Sequence, residues 1–268
     1  MITSIDKPPA AVATEQPRFR WAMSELTAAQ KPSKGAPAYS RFVNRKLGRV
    51  LAAVAYRQGW TPNQVTAVSA LFSFAGIVVL AVVTPAWSTG LVVAACLAIG
   101  YALDAADGQL ARLRGGGSRA GEWLDHMVDA TKISSLHVAV AICMFRFTSL
   151  PPAWLLVPLG FTVVAAVMFF GMTLNDQLRR NVSAVTGPLP DGGRTSPLRS
   201  LLVIPTDYGL LCLVFVVLGA PSVFFATYAA LFAANAGFMM LAARKWYRDM
   251  ALLDRLVIAS DAGRVGAS

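Results

Sequence analysis

The chain has 268 residues, of which 56% are hydrophobic and only 14% are charged, and its mean hydropathy is +0.55. That composition is typical of an integral membrane protein and excludes an ordinary soluble enzyme. The formal net charge is +10, but the basic residues lie beside apolar segments. We therefore attribute the charge to cytoplasmic loops and anionic lipid headgroups and not to nucleic-acid binding.

The first 58 residues divide into two parts of different character. Residues 1–37 are polar and rich in Pro, Ala, Lys and Ser, which predicts a flexible cytoplasmic tail. Within residues 38–58, apolar and basic side chains fall on opposite sides of a helix. The apolar set is Tyr39, Phe42, Val43, Leu47, Val50, Leu51 and Val54, and the basic set is Arg41, Arg45, Lys46 and Arg49. This pattern predicts an amphipathic helix lying in the membrane interface.

Six apolar segments follow, each close to the roughly 20 residues that a helix needs to cross a bilayer. They lie at about 63–83, 88–110, 121–146, 153–174, 203–219 and 221–243. The connectors near 84–88, 147–152 and 219–221 hold no Lys or Arg, whereas the other loops and both termini are basic. This asymmetry predicts both termini and the basic loops in the cytoplasm. The sequence thus predicts an all-α, six-span catalytic domain over residues 38–243 and a cytoplasmic tail over 244–268.

Four aspartates lie at the facing ends of the second and third spans. Asp104 and Asp107 are three positions apart and share a helix face, and Asp125 and Asp129, four apart, share another. A short glycine-rich turn joins the two helices, so the four carboxylates are expected to converge. Such a cluster near lipid needs compensation, and Mg²⁺ or Mn²⁺ supplies it. Two ions about 3.5–4 Å apart are expected, because such a pair clamps a diphosphate.

The residues around the aspartates fit a phosphate ligand. Gly108 and Ala111 remove bulk where a ligand approaches, and Gly121 does the same or lets the helices pack closely. Arg112 is a fixed positive charge suited to a phosphate oxygen. These features, together with the carboxylates, point to phosphate chemistry.

The spacing Asp-x2-Asp-Gly-x2-Ala-Arg-x8-Gly-x3-Asp-x3-Asp resembles the signature of the CDP-alcohol phosphotransferase family. All eight fixed positions are present: Asp104, Asp107, Gly108, Ala111, Arg112, Gly121, Asp125 and Asp129. A second element, Pro62-Asn63-x-x-Thr66, is similar to the family's segment against the cytidine nucleotide. The resemblance implies that Asn63 and Thr66 bind the nucleotide, with Gly108, Ala111, Arg112 and Gly121 around its phosphates.

The resemblance also implies an activity. It is the transfer of a substituted phosphate, most simply phosphatidyl, from a CDP-linked donor such as CDP-diacylglycerol to an alcohol, with release of CMP. Asp104, Asp107 and Asp125 would be metal ligands, and Asp129 would be both a ligand and the general base. A homodimer is expected from the resemblance alone.

The acceptor stays open. His126 after Asp125 resembles the choline/ethanolamine branch, which uses a soluble CDP-alcohol and diacylglycerol, but it is equally explained as a polar residue at the helix mouth. Lys132 either neutralises the aspartates or contacts a phosphorylated acceptor. Arg179 and Arg180, in the long loop 175–202, either receive an anionic acceptor or are ordinary cytoplasmic charges.

Two other classes of membrane protein share some of these features. A membrane prenyltransferase also uses aspartates and Mg²⁺, but it carries two aspartate-rich motifs and more spans. An ion or metal transporter needs charges near the bilayer midplane. Here the aspartates lie near one face, and the spans offer no clear polar path beyond it.

Overall fold

The structure, a computed structural model, describes residues 15–28, 39–187 and 204–265. Within those ranges every regular element is helical, which confirms the predicted all-α fold. The α-helices are α1 (Glu15–Ala28), α2 (Arg45–Arg57), α3 (Pro62–Val82), α4 (Trp87–Leu113), α5 (Arg119–Phe147), α6 (Leu156–Thr186), α7 (Tyr208–Val214) and α8 (Pro221–Val265). Short helical turns lie at Ser40–Asn44, Pro152–Leu155, Ile204–Thr206 and Phe215–Gly219.

Among the described residues, five helical segments are long and apolar enough to cross a membrane. They are Pro62–Val82, Trp87–Leu113, Arg119–Phe147, Pro152–Ala184 and Pro221–Ile258. They confirm the prediction of an integral membrane helical bundle. The predicted span at 203–219 is instead a shorter apolar helix, Tyr208–Gly219, so a sixth span stays a prediction.

The residues at the two ends of the helix Tyr208–Gly219 limit its length. Asp207 caps its start, because its carboxylate accepts a hydrogen bond from the Gly209 amide at 3.1 Å. Pro221 begins the next helix. The seven residues of α7 and the five of the tighter turn Phe215–Gly219 extend about 20 Å, whereas the hydrocarbon core is about 30 Å thick.

Residues 15–28 form α1, which corrects the prediction of a flexible tail for that part of the chain; residues 1–14 and 29–37 lie outside the described ranges. Ala22 and Leu26 of α1 are buried in one cluster with Ala52 and Ala53 of α2. The segment has no long apolar run, so the sequence gives little indication that it forms a helix. Its order comes from packing against α2, the usual source of stability for a short helix.

Helix α2 and the turn before it match the predicted amphipathic element. Gly48, Ala52 and Ala53 are buried against the protein, and the larger Leu47 and Val50 are exposed. Because the small residues face the bundle, α2 packs closely on α4. The larger apolar side chains then point outward, as an interfacial helix requires.

Two helices continue past their predicted ends. Helix α6 runs to Thr186, so Arg179 and Arg180 lie on a helix and not in a loop, and residues 188–203 lie outside the described ranges. Helix α8 runs from Pro221 to Val265, which corrects the boundary placed at residue 243. The two extensions support each other, because Arg179 Nη2 lies 3.0 Å from Asp249 Oδ2. That contact joins residues 70 positions apart, so no short-range sequence pattern predicts it.

Helices α3 and α4 pack closely where Gly100 faces Ser69 and Ser73. The Ser69 hydroxyl donates to the Gly100 carbonyl oxygen at 2.8 Å. A Cβ at Gly100 would lie 2.2 Å from Ser73 Oγ and 3.1 Å from the Ser69 carbonyl oxygen. The close approach fixes the register of the pair that carries Thr66 and Asp107.

We therefore expect Gly100→Ala to lower thermal stability by about 1–3 kcal/mol, because the methyl group would force the two helices apart. The matched control is Gly237→Ala on α8, where a Cβ meets nothing within 4 Å. That change should be neutral or stabilising by up to about 1 kcal/mol through helix propensity. Thermal unfolding of detergent-solubilised protein measures both, and equal melting temperatures would contradict the packing argument.

Candidate active site

The aspartate pairs converge because α4 and α5 are joined by a tight turn. Gly115 and Gly116 have φ of 90° and 126°, a left-handed conformation that favours glycine. Ser118 then caps α5, its hydroxyl accepting a hydrogen bond from the Gly121 amide at 3.0 Å. The chain thus reverses within five residues, and α5 then packs against α3 and α6.

Carboxylate oxygens of Asp104, Asp125 and Asp129 all lie within 4.8 Å of one another. Three of the four predicted metal ligands therefore form one group, two from α5 and one from α4. Two ligands about 2.1 Å from a common Mg²⁺ are at most about 4.2 Å apart, so small side-chain rotations bring this group to coordination distance. The donors are all oxygens, which suits Mg²⁺ or Mn²⁺.

Asp107 sits beside this group and not in it. Its side chain is 5% exposed, and its Oδ2 accepts a hydrogen bond from Thr66 Oγ1 at 2.6 Å. Thr66, for which the family resemblance implies contact with the nucleotide, therefore contacts the second aspartate of the motif directly. The hydrogen bond fixes the orientation of Asp107 toward the same cavity that Asp104 and Asp125 line.

Lys132 lies among the carboxylates. It is only 3% exposed, and its Nζ lies 3.1 Å from Asp104 Oδ1 and 2.5 Å from Asp129 Oδ1. The contacts match the alternative in which Lys132 neutralises the aspartates. One ammonium still faces four carboxylates, and so large an uncompensated negative charge in a buried place favours a further cation.

The start of α3 is built by a capping box. The Gln64 amide donates to Thr61 Oγ1 at 3.3 Å, and the Thr61 amide donates to Gln64 Oε1 at 2.8 Å. Asn63, in this first turn, reaches across to α5, where a Cβ at Gly121 would lie 2.9 Å from Asn63 Oδ1. Gly121 thus makes room for Asn63, one of the two alternatives that the sequence left open.

Gly108 behaves differently from Gly121. A Cβ there would come no nearer than 3.7 Å to its closest neighbour, Arg112 Nη1. Packing within the protein therefore does not require this glycine. The space beside Gly108 is part of the cavity. This position leaves the α4 backbone accessible to a ligand.

The cavity has a volume of about 300 Å³ and carries charges of both signs. Asp104, Asp107 and Asp125 are its acidic wall, and Arg45 and Arg112 are its basic residues. Sequence reasoning missed several residues of its lining, namely Leu26, Ser40, Asn44, Tyr101 and Gln109. Only Asn44, an uncharged amide in a basic amphipathic segment, and Gln109, inside the motif, carried a local signal.

The remaining acceptor candidates do not line this cavity. His126 Nε2 is 3.9 Å from Glu122 Oε1, and its ring lies edge-on to Phe169. Arg180 Nη1 is 2.6 Å from the same Glu122 oxygen. These groups form a separate charged cluster near the start of α5, and Arg179 pairs with Asp249 on α8.

The chain belongs to the CDP-alcohol phosphatidyltransferase family, because the family model matches residues 60–253. Membership confirms the resemblance seen in the motif and identifies the chain as a phosphotransferase of phospholipid synthesis. It favours this enzyme class over the transporter and the prenyltransferase. No curated protein matches the chain.

Two solved structures of similar architecture are both of the Mycobacterium tuberculosis phosphatidylinositol phosphate synthase PgsA1. The one with CDP-DAG bound is 20% identical, with a TM-score of 0.47, over 76% of this chain and 94% of that chain. The one in complex with manganese and citrate is 21% identical, with a TM-score of 0.45, over 74% of this chain and 87% of that chain.

The contact between Thr66 and Asp107 generates a prediction about stability without metal. Thr66→Val keeps the shape of the side chain but leaves the buried carboxylate without its hydroxyl donor, at a cost of about 1–3 kcal/mol. Thr66→Ser retains the hydroxyl and is the matched control. Thermal unfolding with a chelator present measures the difference, and a Val variant as stable as the Ser variant would show that the hydrogen bond contributes nothing.

Proposed function

We propose that this member of the family transfers a phosphatidyl group from CDP-diacylglycerol to the hydroxyl of an alcohol and releases CMP. The proposal is carried by one observation: three aspartates on two helices bring their oxygens within 4.8 Å of one another beside a cavity that also holds Asp107 and Arg112. Family membership supplies the reaction class. The geometry supports a place where a diphosphate and its counter-ions meet.

Asp104, Asp107, Asp125 and Asp129 are the residues that would hold Mg²⁺ or Mn²⁺. Bound there, the metal neutralises the donor diphosphate and makes CMP a better leaving group. The oxygen-only donor set and the surplus of negative charge both fit such a cation. The sequence led us to expect two ions.

The donor nucleotide lies, in this proposal, between α3, α4 and α5. Asn63 at the start of α3 and Gly121 on α5 are in contact distance, so the amide lies against the first turn of α5. Gly108 and Ala111 leave the α4 backbone open to the diphosphate, and Arg112 offers it a fixed positive charge. Thr66 acts indirectly, because its hydroxyl orients the Asp107 carboxylate.

Asp129 is the proposed general base. The acceptor oxygen attacks the phosphorus that carries the lipid, its proton passes to the Asp129 carboxylate, and the bond from that phosphorus to the oxygen of CMP breaks. The ion pair with Lys132, at 2.5 Å, stabilises the charged carboxylate that must receive the proton. Positioning and electrostatics supply most of the rate in such transfers.

A second candidate, transfer from a soluble CDP-alcohol to diacylglycerol, rests on His126. His126 contacts Glu122 and Phe169 and does not line the cavity, so the structure does not favour this second candidate. Arg179 and Arg180 remain candidates for an anionic acceptor, although each already pairs with an acidic side chain. We also propose a cytoplasmic site and cytoplasmic termini, which the basic loops support, and a homodimer, which rests on the family resemblance alone.

The reaction itself is the first test. Purified protein is incubated with Mg²⁺ and either CDP-diacylglycerol or CDP-choline, together with a panel of alcohols or diacylglycerol. We expect CMP only from CDP-diacylglycerol with a matching alcohol, and the mass of the lipid product then identifies the acceptor. CMP from CDP-choline and diacylglycerol would support the second candidate, and no CMP from either donor would contradict both.

Removal of the proposed base is the second test. Asp129→Asn should lower kcat by about 10²–10⁴-fold, because the amide cannot take the acceptor proton. Binding of the CDP-linked donor should remain measurable, since Asp104, Asp107 and Asp125 still face the cavity. Asp254→Asn, at an exposed position of α8, is the control and should leave kcat unchanged. Full activity in Asp129→Asn would refute the role.

A further inference from the structure

We infer that Asp207 is a positioning residue, which holds the interfacial segment (residues 39–57) against the helix bundle and thereby fixes one wall of the cavity. The segment contributes Ser40, Asn44 and Arg45 to the cavity lining. The inference rests on the proposed function in one respect, because the CDP-linked donor is proposed to bind in this cavity. Asp207 itself lies outside the motif that carries the four other aspartates.

The Asp207 carboxylate binds the starts of two helical elements at once. Its Oδ1 accepts a hydrogen bond from the Gly209 amide of α7 at 3.1 Å. Its Oδ2 accepts one from the Tyr39 amide at 2.7 Å, and the Ser40 amide nitrogen lies 3.4 Å from the same oxygen. Amides at the start of a helical turn have no acceptor within it, so Asp207 supplies one from a distant part of the chain. Because Asp207 is only 3% exposed and its carboxylate is a charged acceptor, we expect these to be strong hydrogen bonds.

The Tyr39 ring is held at the same place as its backbone. A Cβ at Gly209 would overlap Tyr39 Cδ1, so the absence of a side chain at Gly209 leaves room for the ring. The ring also stacks on Tyr101 of α4, with 6.3 Å between the ring centroids. Tyr101 lines the cavity. Two neighbouring positions at the start of α7 therefore hold Tyr39 against the α4 residue beside the cavity.

The anchored end of the segment leads directly into the cavity wall. Ser40 follows Tyr39 in the chain, and Asn44 lies about one turn further along. Asn44 is 2% exposed, and its Nδ2 donates to the Tyr101 carbonyl oxygen at 3.1 Å. The contact of Asp207 with the start of the segment and the contact of Asn44 with α4 together set where these side chains meet the cavity.

The outer face of the segment explains why an anchor to the protein is needed. Phe42 is 58% exposed and Leu47 is 48% exposed, as expected of side chains that enter the membrane interface. Binding to lipid through this face fixes the depth of a helix but not its position relative to α4. The hydrogen bonds to Asp207 supply that second constraint.

Two variants remove the anchor in different ways. Asp207→Asn keeps an oxygen for the Gly209 amide, since Asn and Asp cap helix starts about equally well, but it turns an NH₂ group toward the Tyr39 and Ser40 amides. Gly209→Ala keeps the carboxylate and excludes the Tyr39 ring. The matched controls are Asp254→Asn, at an exposed position of α8, and Gly237→Ala, where a Cβ meets nothing within 4 Å.

The full chain in lipid nanodiscs is measured in three ways. Hydrogen exchange read by mass spectrometry reports on residues 39–44, and titrations with CDP-diacylglycerol in Mg²⁺ and with Mn²⁺ alone report on the cavity. In both variants we expect exchange over residues 39–44 to be faster by about tenfold, because a hydrogen bond to a charged acceptor or its geometry is lost. The Kd for CDP-diacylglycerol should rise about fivefold, because only molecules with the wall in place bind it. Mn²⁺ affinity and both controls should match the wild type.

Each other outcome counts against the inference or against the proposed function. Unchanged exchange in both variants would overturn the anchor, and faster exchange with an unchanged Kd for CDP-diacylglycerol would overturn its effect on the cavity. Equal weakening of CDP-diacylglycerol and Mn²⁺ binding would indicate a general loss of structure and would also overturn it. If Asp207→Asn does not fold, Gly209→Ala decides. A wild type that binds no CDP-diacylglycerol would contradict the proposed function, and the exchange rates would still decide whether Asp207 holds the segment.

Discussion

The constraint on which the rest of this molecule depends is the convergence of four carboxylates at the joined ends of two apolar helices. Such a group is unfavourable in a poorly hydrated place unless positive charge or hydrogen-bond donors compensate it. The protein supplies part of the compensation itself, from Lys132 toward Asp104 and Asp129 and from Thr66 toward Asp107. The negative charge that remains is the basis on which we propose a cation site at this cavity.

The packing of α3, α4 and α5 keeps the four carboxylates at the same level of the bundle. The close approach of α3 and α4 at Gly100 sets the height at which Thr66 meets Asp107. The capping box at Thr61 begins α3 at the level where Asn63 reaches Gly121 on α5. One short turn and two small-residue contacts therefore bring three helices to one point, and each contact is local in space although 31 or more residues separate its partners.

The features that could be predicted from the sequence are those set by interactions between residues close together in the chain. Spacings of three and four residues placed each aspartate pair on one helix face, and the glycine-rich turn brought the faces together, because those are short-range effects. The helix α1 and the continuations of α6 and α8 were missed, since their order comes from contacts such as Leu26 with α2 and Arg179 with Asp249. Lys132 was noticed from its helical stripe, but only the fold shows that its ammonium reaches across to Asp104.

The pairing of Lys132 with Asp129 limits how the chemistry proposed for this site can proceed. A carboxylate that coordinates a divalent ion through its oxygens is a weaker proton acceptor, because the ion already claims its electron pairs. Asp129 is asked to be both ligand and base. The ammonium 2.5 Å from Asp129 acts in the same direction, because it too favours the ionised carboxylate over the protonated one. In the proposed reaction Asp129 therefore takes the proton only as the alcohol oxygen bonds to the phosphorus and its hydrogen becomes strongly acidic.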